Sequence, residues 1–293
     1  MIEICEVGPR DGLQNEAICL SVDQRVELIT GLVEAGMDTI EAVSFVHPKV
    51  VPQMANPEEV LKRVPRKPGV RYAGLVLNKK GMERAFECEL DDLHIAIAAS
   101  STFNMKNSRR TREDTLKEML PLVHEGKKRG YKMNGIIATA FGCPYEGDVP
   151  FSVVIDMAER YIEEGADLIT LADTTGMAHP GQVTRYVDLY HEKFPRIPLA
   201  LHFHNTRGLA LANIYAGYLA GVRRFDSSIA GIGGCPFAPY SVGNVSTEDM
   251  VNLFEQMGET TPVDLPRLLE LTKLVENAVG HDSNCFVSKV GLI

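Results

Sequence analysis

The sequence has no stretch of about 18 uninterrupted apolar residues, so it offers no membrane-spanning segment. It has no CxxC pair. Its six cysteines, at positions 5, 19, 88, 143, 235 and 285, are scattered, and reduced thiols in a cytoplasmic protein are expected. Positive charge is also short: 30 Lys and Arg stand against 39 Asp and Glu, a formal net charge of −9. That balance argues against a general nucleic-acid or anionic-membrane surface, so an anionic ligand would need a local basic patch. The opening MIEICEVGPRDG places Glu3 and Glu6 inside its only apolar run, which fits neither a signal nor a transit peptide. No low-complexity linker interrupts the chain, and one domain over residues 1–293 is expected.

What is present is ordinary globular material, 45% hydrophobic and 24% charged. Short strand-like runs alternate with longer amphipathic segments. The runs are IEICEVG (2–8), DTIEAVSF (38–45), RYAGLVL (71–77) and DDLHIAIAA (91–99). MNGIIATAF (133–141), ADLITLAD (166–173), LALHFHN (199–205) and RFDSSIAG (224–231) follow. The clearest helix is SVDQRVELITGLVEAG, where Ser21 and Gln24 form a capping-box signature. Gly36, Gly165 and Gly221 stand where helices should stop before the next strand. Eight such units predict a (β/α)₈ TIM barrel, with a doubly wound open sheet as the alternative. The segment after about residue 258 exceeds eight units and is read as extra C-terminal helices.

In a barrel of this kind the active site lies at the C-terminal ends of the strands. Arg10 and Asp11 follow the first run, and Glu41 sits within the second among apolar neighbours. Asp173 ends the sixth, and His202, His204 and Asn205 end the seventh. Cys235 and Asn244 lie in GIGGCPFAPYSVGN after the eighth. Acids, imidazoles, a thiol and an amide thus gather on one rim.

The two histidines are two residues apart, which on a strand puts both on one face about 6.6 Å apart. Alone, such a pair could equally be two hydrogen-bonded residues of a polar rim. Asp11 on another strand end adds a carboxylate, and Asn244 offers a neutral amide oxygen. This mixed oxygen and nitrogen set favours Mg²⁺ or Mn²⁺ over zinc. The other residues have plainer readings too. Arg10 can simply pair with Asp11. Glu41 and Asp173 can hold backbone groups or Arg10. Cys235 can be a small buried hydrophobe, although Gly233, Gly234 and Gly243 point instead to a loop able to carry the thiol over the mouth. GIGG lacks the strand-to-helix context of a phosphate-binding fingerprint.

The segments EVGPRDGLQNE, IEAVSFVHPKVVPQM, FGCPYEG, HFHNTRGLALAN and GIGGCPFAPYSVGNVSTEDMV closely resemble the 3-hydroxy-3-methylglutaryl-CoA lyase family. This is a group of metal-dependent lyases related to Claisen synthases and built on TIM barrels. Similar segments recur in order from residue 3 to roughly 280. The resemblance implies metal ligands at Asp11, His202, His204 and Asn244, an Arg10 facing the acyl oxygen, and a catalytic thiol at Cys235. It matches Glu41, Asp173 and Glu248 to acidic residues in or near the active site, and places Gln14 in the first-loop motif with a substrate-binding role. It also implies leucine breakdown or ketone-body formation, and a homo-oligomer, a dimer, is expected.

The implied reaction breaks the C2–C3 bond of a 3-hydroxyacyl-CoA, giving a ketone and an acetyl-CoA enolate. A cation lowers the pKa of the C3 hydroxyl, a base removes its proton, Arg10 meets charge on the thioester oxygen, and a thiol protonates the enolate carbon. The base is either a metal-bound histidine or an acid such as Asp173. For the polyanionic CoA, KNSRRTR after the fourth run offers Lys106, Arg109, Arg110 and Arg112; a solvated charged face is the alternative.

Two departures bear on substrate. Asn205-Thr206-Arg207-Gly208 replaces a usual Asp-Thr-Tyr-Gly, and Pro239, Tyr240 and Val242 are bulkier or stiffer than the usual small residues. Citramalyl-CoA or a longer 3-substituted glutaryl-CoA is therefore an alternative substrate. A barrel kept only for binding is disfavoured by the complete set of ligands, arginine and thiol. A condensing Claisen synthase is disfavoured because those enzymes carry further domains after the barrel.

Overall fold

Alternating apolar and polar positions, punctuated by helix stops, produce eight strands in the computed structural model, which describes residues 1–234 and 242–292. The strands are β1 (Glu3–Glu6), β2 (Thr39–Ser44), β3 (Arg71–Val76), β4 (Asp92–Ala98), β5 (Lys132–Ala138), β6 (Leu168–Asp173), β7 (Leu199–Phe203) and β8 (Arg224–Ser227). Each falls within a predicted run or begins one residue before it. They form a closed parallel barrel in sequence order, with β1 pairing β8 from Glu3↔Arg224 to Glu6↔Ser227. That last pairing rules out the open-sheet alternative.

The helices are α1 (Val22–Glu34), α2 (Pro57–Arg63), α3 (Lys79–Phe86), α4 (Ser101–Ser108), α5 (Arg112–Lys128) and α6 (Phe151–Glu163). Then come α7 (Pro180–Lys193), α8 (Ala210–Leu219), α9 (Thr247–Gln256), α10 (Leu265–Val279) and α11 (Val287–Val290). The expected capping box opens α1: the Ser21 hydroxyl accepts from the Gln24 amide while the Gln24 side chain accepts from the Ser21 amide. Gly36 ends the turn after α1 with φ +91°, and a Cβ there would stand 2.2 Å from the Pro262 carbonyl oxygen. Conformation and space both demand glycine at that position. α10 and α11 are the extra C-terminal helices; α10 lies so close to α1 that a Cβ on Gly31 would meet Leu271 Cδ1 at 2.8 Å.

The apolar core sits between strands and helices. On β4, Leu93, Ile95 and Ile97 are buried, and the strand period of two sends the alternate residues Asp92 and His94 to the barrel axis. There a cavity of about 50 Å³ is lined by Cys5, Arg71, Asp92, His94, Asn134 and Asp226, among others. The lower barrel is thus polar where branched aliphatic layers are usual. Among the described residues no helix is long and apolar enough to cross a membrane.

Candidate active site

The rim at the strand C-termini is assembled by three local devices. After β1 the chain makes one wide helical turn, Gly8–Gly12, in which the Val7 carbonyl accepts from the amides of Asp11 (2.7 Å) and Arg10 (3.1 Å). This turns Arg10 and Asp11 over the mouth. In β2 the register against β3 slips between Glu41 and Val43, a bulge that sets the direction of the Glu41 side chain. After β8 the chain doubles back beside β7. The Val245 amide donates to the Phe203 carbonyl (3.0 Å), the Asn205 amide donates to the Gly243 carbonyl (2.8 Å), and Asn244 bridges to His204.

These devices bring Asp11, His202, His204 and Asn244 together. Asp11 Oδ2 lies 3.9 Å from His202 Nε2, 3.7 Å from His204 Nε2 and 2.9 Å from Asn244 Nδ2, which donates to it. One ligand atom each from Asp11, His202 and His204 fits within a 4.8 Å span, which is unique among the described acids, histidines and cysteines grouped in threes. The separations from Asp11 are below twice the ~2.1 Å bond of a small divalent cation, so one ion can bridge them. Gly233 closes the site from behind. Its φ is +98°, and a Cβ there would meet Asn244 Nδ2 at 2.8 Å and Asp11 O at 2.9 Å.

The charge states of Asp11 and His204 suit a cation. Burial alone would raise the Asp11 carboxyl, but Arg10 and the two imidazoles outweigh it and hold the group ionised well below the usual range. Burial, reinforced by His202, pushes His204 down to about 4, so it is a neutral imidazole able to ligate. Burial works against charge on His202 too, but the hydrogen bond and charge of Asp226, with Asp11, hold it above the ordinary histidine range. Asn244 Oδ1 is buried without a donor among the described residues. Such an orphaned oxygen at a carboxylate and two imidazoles fits a hard divalent cation.

Arg10 is the hub beside them. Its Nε donates to Glu41 Oε2 (2.5 Å) and its Nη1 to Asp11 Oδ1 (2.5 Å), with Nη2 also paired to Glu41. Burial disfavours the guanidinium charge, but Glu41 and Asp11 outweigh it, so Arg10 stays cationic. The plain reading of Glu41 as the partner of Arg10 describes its geometry.

Other expected residues are placed differently. Asp173 stands at the rim, but its carboxylate accepts from the amides of Met177 (2.8 Å) and Ala178 (3.0 Å), the structural alternative given above. Burial nevertheless raises it to about 6. Glu248 is fully buried behind the rim, where Oε1 accepts from the Ala230 amide (2.8 Å) and the Thr272 hydroxyl. It is a clamp between the segment after β8 and α10, near the active-site rim and behind its mouth. Gln14 follows the Gly8–Gly12 turn and is half-buried. Arg207 Nη1 donates to the carbonyls of Thr175 and Gly176, both at 2.8 Å, strapping the β7 rim to the β6 loop.

The basic run follows β4 on the same rim, and Lys106, Arg109 and Arg110 are exposed. Lys106 stacks over Tyr145 (4.6 Å), Arg110 pairs with Glu118, and Arg112 Nη1 donates to the Ala99 carbonyl (2.9 Å). Cys235, Pro239 and Tyr240 lie outside the described residues.

Two residues that back the site are absent from the sequence expectations. Asp226 on β8 lies opposite His202 in register and accepts from its Nδ1 at 3.2 Å, presenting Nε2 to Asp11. His94 on β4 donates from Nδ1 to Glu41 Oε1 at 2.7 Å. Both are charged or polar residues within strand runs, the same signal that singled out Glu41.

The chain is similar to known proteins over nearly its whole length. The HMGL-like family model matches residues 1–275. The hydroxymethylglutaryl-CoA lyase of Bacillus subtilis is 40% identical over 279 residues, covering 95% of this chain and 93% of that protein. The (R)-citramalyl-CoA lyase of Chloroflexus aurantiacus is 38% identical over 300 residues, covering 99% and 95%. A solved HMG-CoA lyase from Acinetobacter baumannii, in complex with coenzyme A and 3-methylmalate, superposes with a TM-score of 0.95 at 41% identity, covering 99% of this chain and 95% of that one. The fold, the rim and these relatives together show that the chain belongs to the HMGL-like family.

Proposed function

We propose that this protein is a carbon–carbon lyase that cleaves 3-hydroxy-3-methylglutaryl-CoA to acetyl-CoA and acetoacetate. The observation that carries the reading is the convergence of Asp11, His202, His204 and Asn244 beside a buried Arg10. These four residues would hold Mg²⁺ or Mn²⁺, which supplies Lewis-acid chemistry to the substrate hydroxyl. Arg10 faces the thioester oxygen and stabilises charge as the C2–C3 bond electrons pass into the enolate. Cys235 delivers the proton to the enolate carbon. The hydroxyl proton passes to a rim group, a role we assign to Asp173, which ends β6 at the mouth and which burial raises to about 6. The test is acetyl-CoA release from a panel of 3-hydroxyacyl-CoA thioesters in the presence of Mg²⁺. No release from any member would overturn the reading.

A citramalyl-CoA substrate is the second reading, favoured by a relative of that activity at 38% identity. Faster release from citramalyl-CoA in the same panel would select it. We further propose a single barrel domain in the cytoplasm, serving leucine or ketone-body metabolism, that works as a homodimer. α8, ALANIYAGYL, has no charged residue yet leaves Tyr215 45% and Leu219 65% exposed, a surface suited to a second copy. Sedimentation at micromolar concentration tests it; a monomer would refute it.

A further inference from the structure

Behind Arg10 runs a chain of charge that the proposed reaction leaves unexplained. It starts on β4 at His94, crosses to Glu41 on β2 (2.7 Å), continues to Arg10 (2.5 Å) and ends at Asp11 (2.5 Å). All three inner members are buried: His94 is 4% exposed, Glu41 0% and Arg10 8%. Among the described residues Glu41 Oε1 receives a hydrogen bond from His94 alone, while Oε2 is taken by Arg10.

We propose that His94 is a positioning residue for Arg10, acting through Glu41 to fix the guanidinium's direction and to keep its positive charge available at the barrel mouth. The inference rests on the lyase reading for its effect on turnover, though not for the geometry itself. The argument has two parts. Without His94, Glu41 Oε1 would be a buried charged oxygen with no donor among the described residues, and nothing would hold the carboxylate in its present plane. Arg10 would lose the planar, charge-assisted contact that sets its plane. The second part is charge. Arg10 is flanked by two carboxylates, and a cationic His94 shares one of them, so less of the guanidinium's field is cancelled. Burial alone would strip His94 of its proton, but Glu41, with Asp92 and Asp226, outweighs it and raises the imidazole above its ordinary range. The other groups that share the cavity with it include Cys5 on β1, Arg71 on β3 and Asn134 on β5.

The test uses His94→Leu, which removes both hydrogen bond and charge, and His94→Gln, which keeps an N–H for Glu41 and guards against a variant that fails to fold. Three quantities are read on the whole protein: the Arg10 Nε–H resonance, Mn²⁺ affinity, and kcat and KM on the best thioester. The expected result for Leu is a broadened or shifted Arg10 signal, Mn²⁺ affinity within about twofold, and kcat down about 10- to 100-fold with KM little changed. Gln restores the Arg10 signal and part of kcat. An unchanged Arg10 signal in both variants, or an unchanged kcat in Leu, overturns the proposal. If the wild-type chain cleaves no thioester, the lyase reading fails, and the Arg10 signal still decides the positioning.

Discussion

The side-chain amide of Asn244 donates to the carboxylate of Asp11 at 2.9 Å although 233 residues separate them in the chain. The contact closes the barrel mouth between its first and last units. Asn244 Oδ1, buried without a donor among the described residues, is an atom a cation would satisfy. Chelation should therefore abolish activity and lower the melting temperature, and Mg²⁺ or Mn²⁺ should restore both, because a ligand bound only by the folded state stabilises it. Full activity in a verified metal-free sample would end the metal hypothesis.

Asp226 provides a separate check on the same site. By holding His202 Nδ1, it fixes which ring nitrogen faces Asp11. Losing such a support typically costs about 10- to 100-fold in metal affinity. Asp226→Asn should weaken Mn²⁺ binding by that order in calorimetry while the fold remains. Equal affinity would make Asp226 a bystander.

Arg10 should act on developing charge more than on binding. Removing a preorganised stabilising contact typically costs about 10²–10³-fold in turnover. Arg10→Gln is expected to lose kcat to that extent and to retain its metal. A raised KM with unchanged kcat would move Arg10 from catalysis to substrate binding.

Glu248 gives a pH-dependent stability. Burial raises its carboxyl from 4.5 to about 7 despite hydrogen bonds from Thr272 and Ala230. The fold prefers the protonated form, so this contribution is complete below pH 4.5 and is lost as pH rises to about 7. Two to three pKa units correspond to on the order of 3 kcal/mol. Glu248→Gln, which keeps an oxygen acceptor and cannot ionise, should gain stability relative to wild type across that window. Parallel denaturation midpoints from pH 4.5 to 8 would contradict the account.

The strands and their rim were legible because the relevant signals are local. Strand runs, each preceded by a helix that stops at a glycine such as Gly36, Gly165 or Gly221, define the units, and HxH on one strand face already places two imidazoles side by side. Asp226 and His94 were missed for the opposite reason. Their partners, His202 and Glu41, come from other strands, and only the barrel register and the slip after Glu41 bring them together. Glu6 is similar: its carboxylate accepts from Gly8, Ile229 and Thr247, a clamp between chain ends that no short motif announces. For Asp173 and Glu248, residue type does not reveal that backbone amides donate to their carboxylates, which only the fold brings about.

The last prediction concerns the thiol. Activation by a cationic site should make Cys235 reactive, and the other cysteines define the background. Burial raises Cys5 well above the ordinary thiol range, pushes Cys88 up to about 11 and pushes Cys285 up to about 12. Cys143 is fully buried, whereas Cys19 is exposed and will compete for any reagent. The experiment therefore starts from Cys19→Ser. Partial alkylation of that protein should inactivate it in proportion to label on Cys235, and a 3-hydroxyacyl-CoA analogue should protect both activity and thiol. Cys235→Ser should keep its Mn²⁺ affinity and lose most turnover, since a serine hydroxyl is a far weaker acid than a thiol. If inactivated protein carries its label elsewhere while Cys235 remains free, the proton reaching the enolate carbon must come from another group.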